Sequence, residues 1–242
     1  MAVILALDSS TDACSVALYA NGELSSSFEL AAKSHTQRLL PMVDELLAGH
    51  GIGLTDLDAI AFGRGPGSFT GLRICVGIVQ GLAFGANLPV IPVSTLEAMA
   101  LGFYRNNPTS EQPVMVALDA RMNEIYWCAY QPAGQTTWLM KAMGDEAVIN
   151  PELLVEQALP VMPGGFAAVG PGWHYPALQK LAPQSLILDV HPSAEDMALI
   201  AARLWQEGAM INVLEAEPVY LRDTVSWQKR QRIRDTTDLL EK

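Results

Sequence analysis

A chain of 242 residues, half of them hydrophobic and 17% charged, holds enough apolar material for one large domain or two small ones and is not a disordered chain. Its formal net charge of −11 sets 15 Lys and Arg against 26 Asp and Glu, which repels a phosphate backbone and argues against tight independent nucleic-acid binding. The cysteines Cys14, Cys75 and Cys128 lack metal-ligand spacing and read as buried thiols in a reducing cytoplasm.

The first residues, MAVILALDSS, carry no basic segment and meet Asp8 at once, so they do not read as a signal peptide. An apolar strand, Val3 to Leu7, ends at Asp8. An alternating strand follows from Ala13 to Tyr19. Asn21-Gly22 is a two-residue hairpin turn, and a third strand runs through Leu24, Phe28 and Leu30. A helix is expected from Ser34 to Leu47, with Ser34 and Gln37 as a capping box and Pro41 as a kink. Ala59 to Phe62 reads as a strand, Thr70 to Gly85 as a helix, and Leu88 to Val93 as a strand whose end caps a further helix at Ser94 or Thr95. Ile74 to Pro92 comes nearest to a membrane span, but its glycines and closing proline make it a poor one, and no membrane is expected.

The pattern then repeats. Val114 to Leu118 ends at Asp119, a polar turn at Arg121 and Asn123 leads to Glu124–Gln131, and Thr137 to Met140 begins a third strand. Ala6-Leu7-Asp8 matches Ala117-Leu118-Asp119, and Tyr19 matches Tyr130 at the same offset. Pro151 to Leu159 and Ser193 to Glu207 read as helices, with Ala167 to Val169 as a strand between them. The division is residues 1–108, 109–210 and a tail, 211–242, of uncertain packing. Two related β-β-β-α-β-α halves are the pattern of the actin-like ATPase (ASKHA) fold, an α/β class in which an Asp ending each first strand faces nucleotide phosphates or their metal.

Three local features carry functional expectations. GRGPGSFTGLR, residues 63–73, joins a strand to a helix; Gly65, Gly67, Ser68 and Thr70, with Asp8, could meet an anion or nucleotide, or could form a structural turn. It is neither a P-loop nor a dinucleotide fingerprint. Gly77, Gly81 and Gly85 share one helix face at a cost of roughly 1 kcal/mol each relative to alanine, so another backbone should approach there, either the chain's own sheet or a second subunit. The 34–47 helix has more apolar residues than one core stripe needs, so His35, Leu39, Met42, Val43 and Leu46 are assigned with the glycines to a partner interface. The four histidines show no metal spacing and there is no nucleophile elbow, so no catalytic and no metal-binding residue is assigned. Arg222, Lys229, Arg230, Arg232 and Arg234 form a basic cluster, either solvated or in contact with nucleic acid or an acidic partner.

SHTQRLLPMVDELL, GRGPGSFTGLR, ICVGIVQGLAFGANLPVIPVSTLE, ALDARMNEIYW and EPVYLR, in this order, resemble the TsaB (YeaZ) family. The resemblance implies the actin-like fold and a non-catalytic partner of a TsaD-like paralogue, which with a TsaE-like ATPase makes threonylcarbamoyladenosine beside the anticodon of tRNA. It implies tRNA contact through the complex, a homodimer when the paralogue is absent, and no cofactor of its own, unless ATP or ADP binds at a shared interface. TsaD-like proteins carry a metal-binding His-x-x-x-His pair, and the matching positions here are Thr95 and Met99. An older glycoprotease label for relatives finds no support in these residues. The alternative is an ATP-dependent kinase or hydrolase of the same fold, favoured by Asp8 and Asp119. An RNA-binding module is a weaker alternative, because no platform of exposed aromatics is legible.

Overall fold

Residues 2–32, 34–134, 140–158 and 165–222 are described by the computed structural model. Strands β1 (Ile4–Asp8), β2 (Ala13–Ala20), β3 (Glu23–Leu30), β4 (Ala59–Gly65) and β5 (Val90–Ser94) form a sheet in the order β3-β2-β1-β4-β5. The first three are antiparallel, and β4 and β5 run parallel to β1. Asn21 and Gly22 both take positive φ, 54° and 86°, as the expected hairpin requires.

The second sheet repeats this plan with β6 (Val114–Arg121), β7 (Glu124–Pro132), β8 (Met140–Ala142), β10 (Ala167–Val169) and β11 (Ser185–Ile187), in the order β11-β10-β6-β7-β8. A further strand, β9 (Ala147–Ile149), also pairs with β7. Placing β6 where β1 stands makes the two orders the same, which is the duplicated actin-like fold. Thr137 to Leu139 and Leu159 lie outside the described residues.

The repeat is not gapless in space. Tyr19 pairs with Ile4, whereas Tyr130 pairs with Val114, the counterpart of Val3. The second hairpin is tightened by a register shift between Asp119 and Arg121 and by three successive left-handed residues, Arg121, Met122 and Asn123 (φ 63°, 56° and 58°).

Helices α1 (His35–His50), α2 (Phe69–Ala86), α3 (Thr95–Asn106), α4 (Pro151–Ala158) and α5 (Ala194–Gln206) complete the layers. Ser34 precedes α1, but its backbone (φ −115°, ψ 7°) is not extended and its hydroxyl makes no cap bond, so the expected capping box is absent. Ser68, Ser94 and Ser193 do cap α2, α3 and α5. One face of the first sheet, with Leu5, Leu7, Val16 and Phe62, packs against α1 and α2. Its other face, with Ile4, Ala6 and Ala61, packs against Met197, Ala198 and Ala201 of α5. On the second sheet, Val114, Val116 and Leu118 meet Leu96, Met99 and Phe103 of α3, while Leu154 of α4 and Trp173 cover the opposite face. The helix that follows each sheet therefore packs on the other sheet, and residues 194–206, in the second half by sequence, belong with the first sheet in space. Arg105 of α3 joins the crossing by ion pairs to Asp196 and Glu195 of α5 at 2.6 and 2.5 Å.

Within α2, two glycines have opposite surroundings. A Cβ on Gly71 would lie 1.9 Å from the Ser9 carbonyl oxygen, while one on Gly77 would meet nothing within 4 Å. Gly77→Ala should therefore stabilise the isolated protein by about 1 kcal/mol through helix propensity. Gly71→Ala should destabilise it by about 2 kcal/mol or more through backbone overlap. Urea titration of both variants checks the pair of signs.

Candidate functional site

β1 ends in the loop Ser9–Asp12, and β4 leads beside it into residues 65–71. The two backbones touch. The Ser68 amide donates to the Ser10 carbonyl at 2.6 Å, and the Ser9 hydroxyl donates to the Gly71 carbonyl at 2.9 Å. A Cβ on Gly67 would lie 2.4 Å from the Ser10 carbonyl oxygen. Gly65 holds a left-handed φ of 104°. The Gly71 amide donates to the Ser68 hydroxyl at 3.4 Å, so at the start of α2 the Ser68 and Gly71 amides are bonded inside the chain. Gly67, Ser68 and Gly71 thus act as a joint between two backbones, Gly65 packs instead against Leu72 and the Val219 carbonyl, and Thr70 lies exposed.

Asp8 is fully buried. Its Oδ2 accepts from the Ser10 amide at 3.2 Å and the Ser10 hydroxyl at 3.0 Å, while Oδ1 has no hydrogen-bond partner. Gly63 packs against Oδ1 so closely that a Cβ there would lie 2.1 Å away. Burial pushes the Asp8 carboxyl up to about 7, against the pull of the Ser10 bonds. Asp119 has unlike surroundings: it accepts from the Arg121 amide at 2.9 Å and the Tyr175 hydroxyl at 3.0 Å, and pairs with the Arg121 guanidinium at 3.0 Å. Thr95 is fully buried, with its hydroxyl donating to the Pro66 carbonyl at 2.5 Å. Met99 belongs to the core, and its methyl would lie 2.8 Å from a Cβ on Gly170. The positions matching a His pair thus hold a backbone brace and a packed thioether. Among the described residues, no three His, Cys, Asp or Glu side chains come together.

A cleft of about 430 Å³ opens between the halves, lined by Arg64, Ser94, Glu97, Tyr130, Glu146 and Leu221. Glu146 spans it, pairing with Arg64 at 3.1 Å and accepting from the Ser94 hydroxyl. Glu97 pairs with Arg203 at 3.1 Å, and burial raises its carboxyl above the ordinary range.

The outer faces of α1 and α2 correct the sequence reading in opposite ways. His35, Leu39, Met42 and Val43 are buried, the last three in the first core, and Leu46 is half-buried against it. These residues serve the chain's own sheet; the apolar surplus shrinks to Leu40, which is exposed. Gly77, Gly81 and Gly85, by contrast, are exposed and face open space, so the chain's own sheet is not what they accommodate. By length and composition alone α2 is apolar enough to cross a membrane. Here it packs on the sheet through Leu72, Cys75, Val76, Val79 and Ala83, with only 33% of the helix buried.

Phe84, 71% exposed, extends the glycine face at spacings of three and seven residues, a signal present in the sequence. Phe69 and Tyr220 could be joined only by the fold: their exposed rings lie 5.4 Å apart, with the Arg73 guanidinium 3.8 Å over Phe69 and its Nε donating to the Tyr220 hydroxyl at 3.1 Å. A groove of about 460 Å³ runs between α2 and residues 216–220.

The buried carboxyl yields a pH test. A raised folded-state value means the native chain keeps a proton that the unfolded chain has lost. The contribution of Asp8 is therefore full below its ordinary value of 3.8 and is lost as pH rises to about 7. The melting temperature of Asp8→Asn should rise relative to the unsubstituted protein by about 5 °C between about pH 5 and about pH 8. A difference that stays constant across that range would contradict the burial account.

The TsaD family model, tRNA N6-adenosine threonylcarbamoyltransferase, matches residues 28–223. The tRNA threonylcarbamoyladenosine biosynthesis protein TsaB of Escherichia coli is 47% identical over 93% of this chain and 97% of its own. The TsaB protein of Haemophilus influenzae is 42% identical over 93% of this chain and 96% of its own. The solved structure of YeaZ from Pseudomonas aeruginosa superposes with a TM-score of 0.84 at 43% identity, covering 91% of this chain and all of that one. With near-complete coverage in both directions and the same fold, the chain belongs to the TsaB (YeaZ) family.

Proposed function

We propose that this protein works in the cytoplasm as a non-catalytic partner in the biosynthesis of threonylcarbamoyladenosine on tRNA, docking a TsaD-type transferase through the outer face of α2. The observation that carries this reading is an apolar, 18-residue helix of which only 33% is buried, with its glycines turned outward. Glycines on an exposed helix cost stability, and the cost is offset when a second backbone comes close. The exposed Phe84 and the Phe69–Arg73–Tyr220 stack supply the aromatic and arginine side chains that dominate interface energies.

Thr95 and Met99 support the non-catalytic part, because neither offers an imidazole and both are committed to packing. A second copy of the chain would use the same outward face, so homodimer and heterodimer exclude each other. A TsaE-like ATPase and tRNA join through the assembly, since a net charge of −11 disfavours tRNA binding by this chain alone. Nucleotide, if ATP or ADP takes part, belongs at a surface shared with the paralogue, because Asp8 is buried and Gly67 and Gly71 pack against the Ser9–Ser10 backbone.

Gly81→Leu should weaken association with the paralogue, and of the chain with itself, about thirtyfold or more, while circular dichroism stays native. Sedimentation of the variant alone and mixed with the paralogue reads the effect. A natively folded variant that associates at wild-type strength would place the interface elsewhere.

A further inference from the structure

We propose that residues 216–222 form a strap that ties the outer side of α2 to the β6–β7 hairpin, and so carries a change at α2 into the second half of the molecule. The segment is fixed at successive points on both halves. The Ala216 carbonyl accepts from Gln80 Nε2 at 2.9 Å, and Ala216 itself is buried in the first core. The Val219 amide donates to the Arg64 carbonyl at 2.7 Å. The Tyr220 hydroxyl accepts from Arg73 Nε at 3.1 Å. Leu221 lines the cleft between the halves. Arg222 then crosses to the second sheet, where it pairs with Glu124 and donates to the Ala120 carbonyl at 3.1 Å.

The far end of the strap holds a strained element. Arg121, Met122 and Asn123 all take left-handed backbone, at about 1 kcal/mol or more apiece for side chains of this kind. Arg222 lies on the carbonyl that precedes them and on the side chain that follows, and it is only 18% exposed, so its bonds are shielded from water. Between Tyr220, which Arg73 of α2 holds, and Arg222 the backbone can span at most ~7 Å. Such a short link has little slack, so loosening the α2 end must shift the guanidinium that holds the hairpin.

Hydrogen exchange on the full chain, without any partner, tests the strap. The variant Gln80→Leu/Tyr220→Phe releases the α2 end and touches nothing on the second sheet; Arg222→Ala releases the hairpin end directly. Both should speed exchange of amides in residues 120–126 about tenfold, with circular dichroism unchanged. If Arg222→Ala speeds hairpin exchange while the α2-end variant leaves it at the wild-type rate, the contacts are independent and the strap is refuted. If neither variant alters hairpin exchange, Arg222 does not hold the hairpin and the proposal fails as well.

Discussion

The close contact between the backbone of residues 67–71 and that of Ser9 and Ser10 organises the molecule. A Cβ at Gly67 or Gly71 would sit 2.4 or 1.9 Å from a carbonyl oxygen of the β1–β2 loop, so the contact exists only because both positions lack a side chain. It fixes where α2 begins, and with it which face of α2 turns inward. The same segment gives the Pro66 carbonyl to Thr95, and the adjoining Arg64 gives its carbonyl to Val219. The joint thus links the first sheet, α2, α3 and the C-terminal segment.

Close packing recurs at Asp8, Thr95 and Met99. Asp8 ends its strand as the pattern demands, but Gly63 and Ser10 enclose it and burial favours its neutral form. Thr95 and Met99 are committed to a hydrogen bond and to core packing. The unspent surface lies outside, on α2, where small residues, two phenylalanines and an arginine face solvent together.

Much of this was legible from the sequence. The strand ending at Asp8, the Asn21-Gly22 turn and the Ser193 cap depend on local pattern, and local pattern placed them correctly, whereas β6 runs two residues past the expected end at Asp119, to Arg121. The glycine stripe was legible as a feature but not in its direction, because spacing shows that residues share a face and not which way that face points. For the same reason Leu39, Met42 and Val43 read as surplus when they are core. The 120–124 turn hid a one-residue register change, since left-handed Arg, Met and Asn leave no glycine signal. Arg222 read as part of a basic tail because its partners, Glu124 and the Ala120 carbonyl, are brought to it only by the fold; Lys229, Arg230, Arg232 and Arg234 lie outside the described residues.

The most direct measurement is hydroxyl-radical footprinting of the intact protein, alone and mixed with a TsaD-type protein. Two pairs of exposed side chains report on different faces: Phe69 and Phe84 on α2, and Phe28 and Leu30 on the edge strand β3. The account predicts that oxidation of Phe84 and Phe69 falls severalfold on mixing, while Phe28 and Leu30 stay as reactive as before. Protection of Phe28 and Leu30, with Phe84 and Phe69 fully reactive in the assembled complex, would contradict it.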